Sequence, residues 1–320
     1  MPANSTFTEL VTTTLRNHPD MMSDNVSLHN GLYSYLKEKG KIKKVSGGYE
    51  IVRPIDWAEN STYQRFSGYD TLSIAASDVL SAAKYDWVQA AVHVVASGLE
   101  IRVNSGSEQI RDLVKDRLKN AMRTAANNMS LDIYSSGALT NQMGGLGALV
   151  TADGTGTVGG IIAGTYTAWK NQFYECPSTP TASNIRQFMN RLYLLCTRGS
   201  DRPDLIILSN DLYSLYWDSL QGLQRYTNDK AETVQAGFPA LKFVGADVIH
   251  DVNATFTATS KLGYFLNTDY IELVVHKDAN WTATPEKMST NQDAVIHPVL
   301  WQGQLCLSNR ALQGRLQDAS

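Results

Sequence analysis

Cysteine is scarce: Cys176, Cys196 and Cys306 stand far apart, with no CxxC pair and no metal-ligand spacing. An odd, dispersed set suits a reducing cytoplasm, where thiols stay free. An excess of either charge is missing too, since 28 basic residues face 31 acidic ones for a net charge of −3. A protein that grips DNA through its phosphates needs a basic stripe, because neutralised phosphates and released counterions supply that affinity. The one basic run, KEKGKIKK at residues 37–44, reads as a solvated flank or as a contact with nucleic acid or an acidic partner. No apolar run approaches the roughly 18 residues of a membrane span, and no basic-then-apolar leader opens the chain, so no membrane is expected.

Catalytic signatures are absent as well. There is no GxSxG elbow, no GxxxxGK[ST] phosphate loop and no Cys-His signature. The six histidines, 18, 29, 93, 250, 276 and 297, never fall into HxxxH or HExxH, so they read as structural or surface residues. Asp201 and Asp204 flank Arg202 and Pro203, which reads as a turn before a strand and not as a carboxylate pair. One decoy remains. Gly154, Gly156 and Gly159 spell GxGxxG with Glu175 about twenty residues on, the wording of a dinucleotide site. Such a site needs a buried strand before it and a helix opening after it. Here the strand candidate ALVT is short, and IIAGTYT is a poor helix start. The expectation is a loop, with no catalytic residue, no metal and no cofactor; a nucleotide-dependent oxidoreductase is the weaker rival.

What the chain does have is an ordinary globular composition, 43% hydrophobic and 18% charged, and enough length for two subdomains. Residues 1 to about 30 are rich in Thr, Asn and Ser with a weak helical pattern in FTELVTTTLRN. From residue 49 to 57, Tyr49, Ile51, Arg53, Ile55 and Trp57 alternate with Glu50, Val52, Pro54 and Asp56, the period of a strand. Pro54 cannot donate to a ladder, which points to an edge or a bulge. A second strand is expected over residues 79–95, making a hairpin with a tip of about twenty residues. A two-stranded ribbon is marginal alone in water and needs another surface.

A long helix follows, about 107–136, with Ser105 and Glu108 as its capping box. Its apolar steps are Ile110, Leu113, Val114, Leu118, Ala121, Met122, Ala125, Met129 and Ile133, and Gly137 stands as a left-handed cap. It spans on the order of 40 Å. A Gly-rich loop, a helix over 182–198 with Ile185, Phe188, Met189, Leu192 and Leu195 on one face, the buried strand LIIL at 205–208 and the helix DLYSLYWDSL come next. Mostly strands close the chain. Helices and strands mix without a strict βαβ rhythm, so the class is α+β.

Trp57, Tyr63, Phe66, Tyr69, Tyr85 and Trp87 gather in the hairpin and its tip. They read either as a half-buried sheet or as an interaction arm, since aromatic and Arg residues anchor interfaces. The tip is twice any routine hairpin loop, which favours the arm.

The order of these elements resembles the major capsid proteins of tailed bacteriophages, the HK97-like fold. Local wording supports this along nearly the whole chain. FTELVTTTLRN (7–17), AENSTYQRFSGYDTL (58–72), NNMSLDIYSSG (127–137), GGL (144–146) and GTVGGI (156–161) come first. AWKNQ (168–172), RPDLIILSNDLYSLY (202–216), GADVIHD (245–251), GYFLNTDYIEL (263–273) and NRALQGRL (309–316) follow. The resemblance implies an N-arm over 1–40, an E-loop hairpin region over 41–96 and a peripheral domain with its spine helix over 97–200. An axial domain over 201–270 and C-terminal strands over 271–320, returning to the core, complete it.

It also implies subunit-interface roles for Trp57, Tyr63, Arg65, Phe66 and Tyr69, with Gly144 and Gly145 near symmetry contacts. The expected partners are copies of the chain as hexamers and pentamers, a separate scaffolding protein, a portal and a decoration protein. They would enclose double-stranded DNA without reading its sequence. Some family members cross-link through an E-loop lysine, but residues 58–72 contain none, and Lys44 and Lys84 lie off the tip. Many begin with a cleaved scaffolding segment; here scaffolding is expected from a separate protein or to have been removed already. An encapsulin-like compartment shell is the alternative with the same fold.

Overall fold

The computed structural model describes residues 30–77, 79–103, 113–221, 241–251, 261–283, 287–288 and 291–318. Helices α1 (Gly31–Glu38), α2 (Gly98–Val103), α3 (Leu113–Tyr134), α4 (Leu146–Leu149), α5 (Ile185–Leu195) and α6 (Asn210–Gln221) alternate irregularly with strands. In the first half these are β1 (Ile42–Val45), β2 (Ile51–Asp56), β3 (Leu80–Tyr85), β4 (Val88–Ser97), β5 (Thr157–Val158) and β6 (Ile161–Ile162). Then come β7 (Gln172–Cys176), β8 (Leu205–Leu208), β9 (Leu241–Phe243), β10 (Ala246–His250) and β11 (Leu262–Leu266). The chain closes with β12 (Ile271–Ala283), β13 (Lys287–Met288), β14 (Ala294–Leu307) and β15 (Gly314–Asp318). The mixture is α+β. Contacts define two units, one of residues 90–129 and 281–301, the other of residues 30–89, 130–280 and 302–320.

In the larger unit a six-stranded sheet runs β7-β15-β11-β8-β10-β9. The LIIL run is its central strand β8, parallel to β10, antiparallel to β11 and buried at all four residues. A strand covered on both faces reads as a continuous apolar run, not an alternating one. Helix α5 packs Ile185, Phe188, Met189 and Leu192 into the same core as Leu212 and Tyr216 of α6. Each such side chain contributes roughly 1.5–3 kcal/mol on burial.

Leu195 was expected on this face but is 51% exposed, while Tyr193 is buried instead. At about 100° per residue the stripe from Ile185 to Cys196 leaves Leu195 just beyond its edge. Gly199 follows the helix with φ +62°, the left-handed conformation expected there.

The spine helix α3 is described from Leu113, and at about 1.5 Å per residue it spans roughly 33 Å. Its expected start and the Ser105–Glu108 cap lie outside the described residues. Ala121, Ala125, Met129 and Ile133 are buried, whereas Met122 is exposed, so the apolar stripe is narrower than the sequence suggests. The helix ends at Tyr134, and Gly137 (φ +68°) serves the exit turn, not the cap itself. In that turn the Ser135 hydroxyl donates to the Met143 carbonyl at 2.5 Å and accepts from the Gly137 N–H at 3.2 Å. The buried helix end is tied by Tyr134 OH donating to Asp251 at 2.6 Å and by Asn30 Nδ2 donating to Ser130 at 3.0 Å.

Two further expectations are corrected. The single strand over 79–95 is two strands: β3 pairs with β2, whereas β4 pairs with β14. The break falls beside Trp87, whose indole N–H donates to the Gly48 carbonyl at 2.9 Å. The Gly-rich loop holds a short helix, α4, and a tight β5–β6 hairpin turning on Gly159 (φ +60°) and Gly160 (φ +75°). Positive φ at both central residues is what a type I′ turn requires. With Gly154 and Gly156 also in left-handed turn conformations and a strand following, GxGxxG opens no helix onto a phosphate.

In the smaller unit, β4 and β13 pair with β14. Trp281 stacks on Trp301, ring centres 6.1 Å apart. A reciprocal capping box opens α2: the Ser97 N–H donates to Glu100 at 3.0 Å, and the Glu100 N–H donates to Ser97 Oγ at 3.2 Å.

Candidate subunit interface

The hairpin is built as its alternation dictates. In β2, Ile51 and Ile55 are buried while Val52, Pro54 and Asp56 are exposed, in register from Ile51 opposite Tyr85 to Asp56 opposite Leu80. Pro54 is tolerated because the ribbon has only two strands. Its base is fastened to the larger unit. Tyr85 OH donates to the Leu307 carbonyl at 2.8 Å, and burial raises the phenol far above its ordinary range, so it remains a neutral donor. Arg53 pairs with Glu272 at 2.5 Å, and Lys43 joins the same carboxylate. The Lys84 N–H donates to the Gly159 carbonyl at 2.9 Å, and a Cβ on Gly159 would lie 2.7 Å from that of Ala83. Glycine there lets the β5–β6 turn touch β3.

The tip, residues 58–77, has no such support and is shaped by its own polar turns. Asn60 accepts from the Thr62 N–H at 2.9 Å, and Asp70 from the Ser67 N–H at 2.8 Å. Gln64 Nε2 donates to the Thr71 carbonyl at 3.1 Å. Tyr63 is 81% exposed, Phe66 63%, Ile74 97% and Tyr69 wholly so, and Arg65 is exposed beside them. Five large apolar side chains between residues 63 and 74, Leu72 being the fifth, thus face outward on this long loop. Trp57, at the root, meets Tyr166 edge-on at 5.5 Å.

Of the seven residues singled out from the sequence, five therefore gather on one hairpin and its tip. Gly144 and Gly145 do not join them. Gly145 is buried, and a Cβ there would lie 2.3 Å from the Asp132 carbonyl oxygen. The Gly144 carbonyl accepts from Gln304 Nε2 at 3.3 Å. Close packing at the end of the spine helix accounts for glycine at Gly145 within the chain.

Sequence reasoning missed Leu80, Ile74 and Tyr166, which add apolar surface to the hairpin and its surroundings. Ile74 was within reach, since SIAAS is the one apolar patch in a polar tip; nothing local marks Tyr166. It also missed Arg310, fully buried in the larger unit. Its guanidinium donates to the carbonyls of Leu149 and Thr155 and to Thr151 Oγ1, each at 2.8 Å. Burial lowers its pKa to about 10, so it stays charged at neutral pH and staples the Gly-rich segment to the C-terminal strands.

Among the described residues no three His, Cys, Asp or Glu side chains come together as metal ligands. All three cysteines are buried and free, with burial pushing the Cys176 and Cys306 thiols up to about 12. A thiol so protonated is a poor nucleophile. No described helix is long and apolar enough to cross a membrane. A cleft of about 860 Å³ lies between the outer half of the hairpin and residues 159–169.

No protein-family model and no curated protein matches the sequence. Solved structures do match in three dimensions. A chain of the cyanophage A-1(L) capsid asymmetric unit aligns with a TM-score of 0.64 at 14% identity, covering 93% of this chain and 94% of that one. The capsid of the Myoviridae phage XM1 aligns at 0.59 and 10% identity, over 93% and 95% of the two chains. The SrpI encapsulin of Synechococcus elongatus PCC 7942 aligns at 0.56 and 8% identity, over 95% and 94%. The fold is therefore that of shell-building chains, matched over nearly its full length. It is the HK97-like capsid fold that the order of elements led us to expect.

Proposed function

We propose that the chain is the major capsid protein of a tailed double-stranded DNA bacteriophage, a non-enzymatic subunit that assembles as hexamers and pentamers into an icosahedral shell. The observation that carries this is the hairpin: a base fastened by Tyr85, Arg53 and Lys84, and a tip with five outward apolar side chains. Such a tip gains free energy only by covering, at roughly 1.5–3 kcal/mol for each large side chain. Repeated with rotational symmetry, one modest contact per copy closes a shell while staying reversible during assembly.

In this reading residues 1–40 are the N-arm, 41–96 the E-loop region, 97–200 the peripheral domain, 201–270 the axial domain and 271–320 the returning strands. Trp57, Tyr63, Arg65, Phe66 and Tyr69 contact a neighbouring copy; Gly144 and Gly145 act by shaping the turn after the spine helix, near symmetry contacts. A net charge of −3 leaves packaged DNA free to enter and leave. Scaffolding, portal and decoration proteins are the partners such a shell takes in a virion, assembled in the host cytoplasm.

The likeness to SrpI keeps an encapsulin-like compartment as the second reading. Electron microscopy of the concentrated protein, and of particles from its native source, tests both. Closed shells filled with DNA are expected. Shells loaded with a cargo enzyme and free of DNA favour the second reading, and a chain that stays a monomer under every assembly condition overturns both.

A further inference from the structure

The cleft beside the hairpin has no occupant among the described residues, and its lining mixes aromatic and apolar side chains with polar and charged ones. Its walls include Trp57, Leu80, Tyr166 and Trp169, of which Leu80 is 71% and Tyr166 45% exposed. Charge is distributed along it. Asp56 and Lys84 both line it, and Asp56 pairs opposite Leu80 while Lys84 pairs opposite Val52. Four residues along β3 separate those two register positions, on the order of 13 Å. Arg198 adds a second cation to the lining.

On the reading proposed above, we infer that this cleft is the receptor for the hairpin tip of a second copy. Tip and cleft are complementary. Among the described residues, no stretch exposes large apolar side chains as densely as residues 63–74, where Tyr63, Phe66, Tyr69, Leu72 and Ile74 stand free. The same stretch carries Arg65 and Asp70 five residues apart, one charge of each sign, as the cleft carries Asp56 against Arg198, its Lys84 being paired with Glu50 at 3.4 Å. Aromatic side chains in an aromatic-lined recess, bordered by paired charges, are the usual make-up of an interface anchor. Tip and cleft are different surfaces of one chain, so the contact is heterologous. Each copy offers one tip and one receptor, and such contacts close into rings when the rotation allows. The chain's own tip contributes no residue to its own cleft, so the receptor stays open to a neighbour.

A charge-reversal cycle tests the pairing. Asp56→Lys alone and Arg65→Glu alone are each expected to abolish or sharply reduce closed shells, and the double variant to restore them. A photo-cross-linking residue at Leu80 in wild-type shells is expected to join two chains, with the adduct mapping to residues 58–77 of the second. Shells that form normally with Asp56→Lys, no rescue in the double variant, or adducts confined to one chain or to another protein would overturn the cleft assignment while leaving the shell reading in place. Wild-type chains that never assemble would remove both.

Discussion

Arg117 holds both carboxylate oxygens of Glu100, at 2.9 and 3.0 Å, and with a further hydrogen bond to the Val95 carbonyl at 2.7 Å it clamps the start of α2 to α3. These bonds, ahead of the one from the Ser97 N–H, hold the Glu100 carboxyl down at about 2. A folded-state value below the unfolded one contributes stability in full above the ordinary carboxylate range and loses it as pH falls towards 2. Melting curves from pH 7 to pH 2 check this. Glu100→Gln should melt lower at pH 7, by about 2 °C, and should show a shallower acid limb than wild type. Parallel acid limbs would sink the assignment.

Arg310 is the interior residue whose loss should matter most. Arg310→Met removes the donors from the buried Leu149 carbonyl and from the more accessible Thr151 hydroxyl and Thr155 carbonyl, a loss of about 1–3 kcal/mol. Arg310→Lys keeps the charge but has neither the reach nor the fork to serve all three acceptors. Urea unfolding should place both variants well below wild type, Lys included. A Lys variant as stable as wild type would show that charge alone, not the fork, holds this segment.

The glycines of the 144–160 region divide by what surrounds them. Gly145→Ala drives a methyl against the carbonyl oxygens of Asp132 and Ile133, at 2.3 and 2.4 Å, and overpacking of this kind costs about 1–3 kcal/mol or more. Gly160→Ala meets nothing within 4 Å and carries only the strain of φ +75°, about 1 kcal/mol. Soluble yield and melting temperature should therefore fall further for Gly145→Ala. The reverse order would contradict the packing drawn for the helix exit.

Deleting residues 58–72 removes most of the tip, with Tyr63, Arg65, Phe66 and Tyr69, and leaves every fastening of the hairpin base in place. The expected product is a soluble, folded subunit with an unchanged far-ultraviolet circular dichroism shape that forms no closed shells. Normal particles by electron microscopy would refute the role given to the tip.

Local patterns were legible where local physics decides. Ile51 and Ile55 alternate because one face of β2 is buried, LIIL is continuous because β8 is central, and Gly199 lies just beyond its helix. The exposed Tyr63, Phe66 and Tyr69 were readable for the opposite reason, being aromatics in a stretch with no core period. What the sequence hides is pairing at a distance. That residues 79–95 split between two sheets depends on β14, some two hundred residues later. Arg310 looks like any surface arginine until Leu149, Thr151 and Thr155 close around it. The capping box of the smaller unit lies at Ser97 and Glu100, a pair that a scan for the long helix passes over because α2 is only six residues long.

The three cysteines are sealed inside the protein, and the Cys176 and Cys306 thiols ionise only near pH 12. To a maleimide dye or a gold cluster, the folded subunit is therefore blank. One sulfur engineered at Tyr69 would be its sole thiol address, open to the dye in the free subunit and shut from it wherever a neighbour covers the tip.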